Sequence, residues 1–252
     1  PFLKGQISSD SPASYQASTA QTSQKTISMQ GLACRFVIDD ALAEDSAIAL
    51  IPTMQRQIAQ DIADAVEDAL INGDAAATHQ DDIANWNIRS RWGTSPALGG
   101  SSDHRRAWTG LRAQAFDRSA TVDVSTATTA KFLELFAELG ELSSTERVII
   151  TSPEALVANF LSLSEVLTID KYGPSATVLQ GQLASYFGMP IVLSRFMGTD
   201  LNESGLYDNA TKTKSGMLCV ARDAYMMFSK RGISVEQDKN IIQGAINIVA
   251  TE

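Results

Sequence analysis

The chain has 252 residues, a length for one large domain or two modest ones. Hydrophobic residues make up 44%, ordinary for a chain that buries a core, but charged residues make up only 19%, below the usual quarter. The net charge of -9, from 29 acidic and 20 basic residues, argues against a sequence-reading nucleic-acid binder, which needs a basic face. It is compatible with an acidic wall that contains DNA without gripping it, since tight phosphate binding needs Lys and Arg. The polar surface is instead rich in Ser, Thr, Gln and Ala, and such a surface suits packing against other protein surfaces, with few charges to desolvate. No run of about 18 apolar residues occurs, so no membrane span is expected. No signal peptide opens the chain, and its start at Pro1 leads us to expect that the natural N-terminus lies upstream or was removed.

In chain order, residues 1–31 are polar, with a turn at Ser8 to Pro12. Gln24 to Gln30 alternates polar and apolar, and Leu32, Cys34, Phe36 and Ile38 alternate in the opposite phase, with Gly31 at the change. The segment reads as a long hairpin too poor in large apolar residues to make its own core. Glu44 to Ile71 is the strongest helix, with Ile48, Ile51, Met54, Ile58, Ile62, Ala65, Val66 and Ala69 at spacings of three and four. Acidic residues fill or precede its first turn, Asn72-Gly73 ends it, and Pro52 predicts a kink or break near Ile48 to Ile51.

Beyond a polar connection at 72–104, Ser102 or Asp103 caps a helix expected over 104–117. A further helix at about 126–140 carries Phe132, Leu135, Phe136 and Leu139 on one face and stops at Gly140. Arg147 to Thr151 reads as a strand, Ser152-Pro153 as a helix cap, and Ala155 to Leu163 as the helix. A turn is expected at Tyr172 to Pro174, a short helix at Leu183 to Phe187, and a strand at Pro190 to Ser194. A polar loop over 198–216 precedes strands at Met217 to Val220, Ala224 to Ser229, Ile233 to Glu236 and Ile241 to Ala250.

Reactive constellations are scarce. His79 and His104 both lie in polar connections, where a surface role is expected. Nucleophile-elbow, zincin, dinucleotide and phosphate-loop motifs do not occur. Asp39-Asp40 and Asp81-Asp82 read as solvated faces, as do Asp61, Asp64, Glu67 and Asp68 at helical spacings. Cys34 and Cys219 form no CxxC pair and are expected to be buried and reduced. The chain is therefore expected to be no enzyme, with no catalytic, cofactor-binding or metal-binding residues and no cofactor.

Four stretches together resemble the tailed-bacteriophage major capsid family, whose Hong Kong phage-type fold is shared with encapsulins. Ile38 to Ser46 is similar to the family's acidic start of the spine helix. Glu67 to Asp74, ending Asn72-Gly73-Asp74, resembles the end of that helix. Ile149 to Pro153 looks like its strand-to-helix step. Val166 to Ser194 contains V-L-T-I-D-K-Y-G-P, Gly181 and Y-F-G-M-P-I-V-L-S. Their order and spacing cover about 200 residues.

The resemblance implies an α+β phage major-capsid fold. Residues 1–31 would be the extended E-loop hairpin, and 32–120 the peripheral domain with its spine helix at about 44–71. Residues 121–233 would be the axial domain, and 234–252 a strand returning to the peripheral domain. It implies a structural protein that self-assembles through pentamers and hexamers into the icosahedral head shell of a virion. That shell would enclose double-stranded DNA without sequence-specific binding, and would be assembled in the host bacterial cytoplasm with scaffold, portal and decoration proteins as partners. Some relatives join an E-loop lysine to a neighbour's asparagine, which makes Lys4 and Lys25 the residues to consider here, although plain solvent lysines are expected. An encapsulin-type compartment shell is the alternative, and a soluble hydrolase or binding domain a more distant one.

Overall fold

The computed structural model describes residues 30–45, 50–76, 81–82, 103–124, 128–140, 146–160, 166–167 and 184–252. The expected hairpin at 1–31, apart from its last two residues, lies outside them, as do His79 and the turn at 172–174. Strand β1 (Ala33–Asp39) leads into α1 (Asp40–Asp45) and α2 (Leu50–Asn72). Then come α3 (Leu111–Asp117), α4 (Thr129–Ala137), β2 (Arg147–Thr151), α5 (Pro153–Ala155), β3 (Val166–Leu167), β4 (Ala184–Tyr186), β5 (Met189–Leu193), β6 (Met217–Ala221), β7 (Ser234–Asn240) and β8 (Ala245–Thr251).

The elements build two sheets with separate cores. The smaller has the order β1-β8-β7, so the last strand lies between the first strand and its own hairpin partner. On one face, Ile38, Ile248 and Ala250 meet Ile58 and Ile62 of α2, with Phe36, Met54 and Ile246 around them. The period-2 pattern in β1 and the 3.6-residue pattern in α2 are thus two sides of one contact. The larger sheet has the order β3-β4-β5-β2-β6, with β2 and β5 parallel and its other neighbours antiparallel. Its core holds Phe132 and Phe136 of α4, Leu156, Phe160, Tyr186 and Ile191. Tyr186 stands among three rings, with centroids 5.1, 6.2 and 6.0 Å from Phe132, Phe136 and Phe160. Edge and tilted contacts of this kind suit the ring quadrupoles. A third cluster, Ile71 with Phe196 and Met197, joins the end of α2 to the larger sheet.

The strongest helix is described in two pieces, α1 and α2 (23 residues, about 34 Å), and the kink or break expected near Ile48 to Ile51 falls in part on residues 46–49, outside the described residues. The helix expected over 104–117 is a single 3₁₀ turn, His104–Arg106, followed by α3. Gly110 interrupts it, because its extended backbone (φ -78°, ψ 179°) donates its N–H to the Gly73 carbonyl at 2.7 Å. Asp103 caps the 3₁₀ turn as expected, accepting the Arg105 N–H at 2.8 Å. Beyond Ser152-Pro153 the helix widens into a π-type turn at Leu156–Phe160.

The short helix expected at 183–187 is instead strand β4 and a two-residue hairpin turn. Phe187 (φ 47°) and Gly188 (φ 76°) both take the left-handed conformation that such a turn needs. The strand expected at 224–229 is absent: a 3₁₀ turn, Arg222–Ala224, leads off the end of β6, and Tyr225 to Ser229 join no sheet. Ile241 and Ile242, expected in the last strand, form the exposed tip of the β7–β8 hairpin with Gln243 and Gly244. The Asn240 side chain accepts the N–H groups of Ile242 and Gln243 there.

Gly73 and Gly110 allow a close backbone approach at the end of α2. A Cβ on Gly73 would meet the carbonyl oxygens of Ala69 at 2.3 Å and Trp108 at 2.6 Å. Gly73→Ala is expected to destabilise the fold by about 1–3 kcal/mol, from overpacking. Gly232→Ala, where a Cβ meets nothing within 4 Å, is expected to be neutral or slightly stabilising. Urea midpoints of the two variants compare these outcomes.

Candidate functional site

Several residues read from the sequence as solvated belong to a buried polar junction at the C-terminal end of α2. Asp68, Asn72, Asp81, Asp103, Arg105 and Arg112 are all buried. Helix periodicity puts Asp68 and Asn72 one turn apart, and the Asn72 amide donates to Asp68 at 2.7 Å and to the Phe196 carbonyl at 2.8 Å. The Asn72 oxygen accepts from Arg112 at 2.8 Å. Arg112, in the first turn of α3, also donates to both Asp81 oxygens at 3.0 and 3.2 Å and to the Gly205 carbonyl at 2.7 Å. Asp81 accepts the Tyr207 N–H at 2.8 Å as well. A bidentate guanidinium and these further donors make a buried carboxylate tolerable.

His104 is likewise more than a surface residue. Its Nε2 lies 2.7 Å from Asp68, and its Nδ1 lies 3.6 Å from Asp103. Asp103 also holds the side chain of Arg105 at 3.1 and 3.0 Å. Burial pushes the Asp103 carboxyl pKa up, but the hydrogen bonds and charge of Arg105, with His104, outweigh it and leave the carboxyl below its ordinary value. Two more acidic residues of α2 also meet protein groups. Glu67 accepts the Ser194 hydroxyl at 2.6 Å, and Asp64 pairs with Arg195, which lies over the Phe196 ring. Asp39 caps α1, and Asp40 pairs with Lys239.

Chemically, this junction is structural. Its cations face carboxylates, and no Ser or Cys nucleophile stands against His104 among its described partners. Among the described residues, no group of three His, Cys, Asp or Glu side chains could hold a metal ion. A cleft of about 440 Å³ between α3, α4 and the loop 201–216 reaches Arg112 and Cys219. Cys219 and Cys34 are free thiols, half-buried. Burial pushes Cys219 up to about 11, only partly opposed by Arg147, and burial together with Asp61 raises Cys34, so both stay protonated and unreactive at neutral pH. Lys4 and Lys25 lie outside the described residues. The signal for the junction was the Asn72-Gly73-Asp74 run itself. Asn72 carries the hydrogen bonds, Gly73 permits the backbone approach, and Asp74 donates its N–H to the Arg105 carbonyl at 2.7 Å.

The comparisons with known proteins agree with a shell subunit. A model of the phage capsid family matches residues 8–252. This chain belongs to the phage capsid family. It is a structural, non-enzymatic component of a virion capsid. No curated protein matches it. Its fold is similar to that of a solved structure described as the capsid of a native GTA particle, with TM-score 0.51 and 14% identity, over 98% of this chain and 75% of that one. A satellite phage P4 procapsid structure gives 0.43 and 12% identity over 99% and 80%. One from Mycobacterium phage Che8 gives 0.41 and 18% over 92% and 70%. At these identities the first likeness bears on the fold, and the α+β capsid fold read from the sequence stands. No described helix is long and apolar enough to cross a membrane.

Two outcomes follow from the junction. Arg112→Met takes the guanidinium away from the buried Asp81 carboxylate and removes the donor to the Asn72 oxygen, and is expected to cost about 3–5 kcal/mol. Adding Asp81→Leu should recover part of that loss, and urea unfolding of the single and double variants measures both. Asp103, with its lowered pKa, contributes stability that is present above the ordinary carboxylate pKa of about 4 and lost as pH falls through the folded value. Asp103→Asn should therefore lower the urea midpoint at pH 7 and flatten its fall below about pH 4.

Proposed function

We propose that this capsid protein closes an icosahedral shell of pentameric and hexameric rings around the double-stranded DNA of a tailed phage. The family match over residues 8–252 carries this reading. Rings arise when one patch of a subunit meets a different patch of the next and the rotation closes. The net charge of -9 suits a wall that contains DNA without reading it. Scaffold, portal and decoration proteins are the expected partners, and the host cytoplasm the place of assembly.

The two cores support the division of the chain. Residues 32–120 and the strand in 234–252 make the peripheral domain, with α2 as the spine. Residues 121–233 make the axial domain around the larger sheet. In this reading residues 1–31 are the E-loop, lying across an adjacent subunit whose groups satisfy its backbone hydrogen bonds. Roughly 1–2 kcal/mol of backbone entropy per ordered residue is then offset by assembly contacts rather than by folding of one chain.

Light scattering and negative-stain electron microscopy of the purified chain should show closed shells. Replacing residues 6–28 by a short turn should leave a subunit with unchanged circular dichroism that forms no stable shell. Normal particles from that deletion would remove the assigned role of the hairpin, and a chain that stays monomeric under all ionic conditions would remove the shell itself.

A further inference from the structure

Tyr225, Met226, Met227 and Phe228 follow one another on the surface, with 36, 77, 55 and 51% of their areas exposed. Tyr225 is extended (φ -128°, ψ 142°), and the backbone of Tyr225 to Ser229 belongs to no helix, turn or sheet. In an extended segment neighbouring side chains point to opposite sides. Exposure of all four therefore means that both faces of the segment are open. Ile233, five residues on, is also exposed. At about 200 Å² per large side chain, the four leave roughly 400–450 Å² of mainly apolar surface open, within the roughly 300–600 Å² of a typical monomer's largest patch, which is often a functional one. That is about half of what one partner contributes to a standard interface of about 800 Å² per side.

The local order of elements shows how the segment is held out. β6 is an edge strand of the larger sheet, paired with β2 along Met217–Ala221. The ladder ends where the Arg222 N–H meets the Glu146 carbonyl at 2.9 Å, and Arg222 pairs with Glu146 at the surface. The 3₁₀ turn at Arg222–Ala224 then carries the chain off that edge. Downstream, Arg231 is tied to Thr251 of β8 at 2.8 Å, so the segment is anchored at both ends, one on each sheet. Residue types fit a strand: Tyr and Phe favour pleated surfaces, and Met adapts to an irregular partner.

We propose that Tyr225–Phe228 is an unpaired strand completed by a second copy of this chain, whose backbone pairs with it and whose side chains cover its two faces. The occupant is another copy because the chain belongs to a capsid family, whose shells are built from repeated subunits. It is also because the open area matches a share of a subunit contact. Pairing by strand addition satisfies the backbone groups and buries alternate side chains on both sides at once. A flat surface lying on one side would not. This inference rests on the shell-subunit reading and adds to it a contact made by a segment between the two sheets.

Hydrogen exchange with mass spectrometry tests it on the full chain, as free subunits and as particles assembled from the purified chain alone. The amides of residues 225–229 are expected to exchange within about tenfold of an unstructured chain in free subunits and at least ~100-fold more slowly in particles. The double variant M226E/F228E should keep the circular dichroism and urea midpoint of the parent, because both side chains are exposed, and should lower particle yield at least tenfold. Fast exchange in intact particles would overturn the contact and leave the shell reading standing. Protection already present in free subunits would show cover from within the same chain and overturn it too. Protection that appears only with another protein added would reject a second copy as the occupant. Failure of the parent chain to form particles would remove the shell reading and this contact together.

Discussion

The arrangement of the two sheets depends on one buried guanidinium. Arg112 meets Asn72 at the end of α2, Asp81 in the following connection and Gly205 in the loop of the larger body. These groups come from four places in the chain, and none is a neighbour in sequence. The low local dielectric makes each bond stronger and each unpaired group more costly, so the cluster tolerates one arrangement and penalises others. Ile71, Phe196 and Met197 add apolar contact beside it, but apolar contact alone is non-directional. The polar bonds therefore fix the orientation that the apolar cluster leaves loose.

The same junction explains why α2 can serve both cores. Its middle turns carry Ile58 and Ile62 into the smaller sheet, and its last turns carry Asp68, Ile71 and Asn72 to the junction with the larger body. Glu67 and Asp64 reach Ser194 and Arg195, just beyond β5. A helix used this way is a strut: one stripe is apolar over part of its length and carries polar ties over the rest. Asp64, Glu67 and Asp68 in the acidic row along it therefore act as ties to the rest of the chain rather than as a purely solvated face.

How much of this was legible follows from how local each signal is. The 3.6-residue pattern of α2, the Ser152-Pro153 cap and the alternation in β1 concern residues within one or two turns of each other, and they read correctly. Ser152 accepts the Ala155 N–H at 3.1 Å, as the cap requires. The helix expected at 183–187 failed because Tyr186 is drawn into the ring cluster of α4 and the π-type turn, contacts made 26 to 54 residues away. The 104–117 helix failed because Gly110 bonds to Gly73, 37 residues earlier. Asp81 and His104 were misread for the same reason, since a carboxylate looks solvated until its distant arginine or histidine is placed. The resemblance to capsid proteins was visible earlier than these contacts because it lay in the order of short motifs, one of which, Asn72-Gly73-Asp74, marks the junction.

A shell subunit must fold before it meets its neighbours, and this places opposite demands on its surface. The apolar groups that later form contacts are a hazard while the chain is alone, since an open extended segment can pair with any other. The residues around Tyr225–Phe228 answer that hazard with charge: Arg222 and Asp223 precede it, and Lys230 and Arg231 follow. Charges at the ends of a short apolar run raise the cost of stacking it in register against identical runs, because like charges would then lie opposite each other. They cost little in a contact that places them beside opposite charge on another subunit, and with 29 acidic residues per chain such partners are abundant. The low share of charged residues and the few charges placed beside apolar segments are thus parts of one compromise. The first lets broad surfaces be covered with little desolvation, and the second limits which surfaces do so before the shell is built.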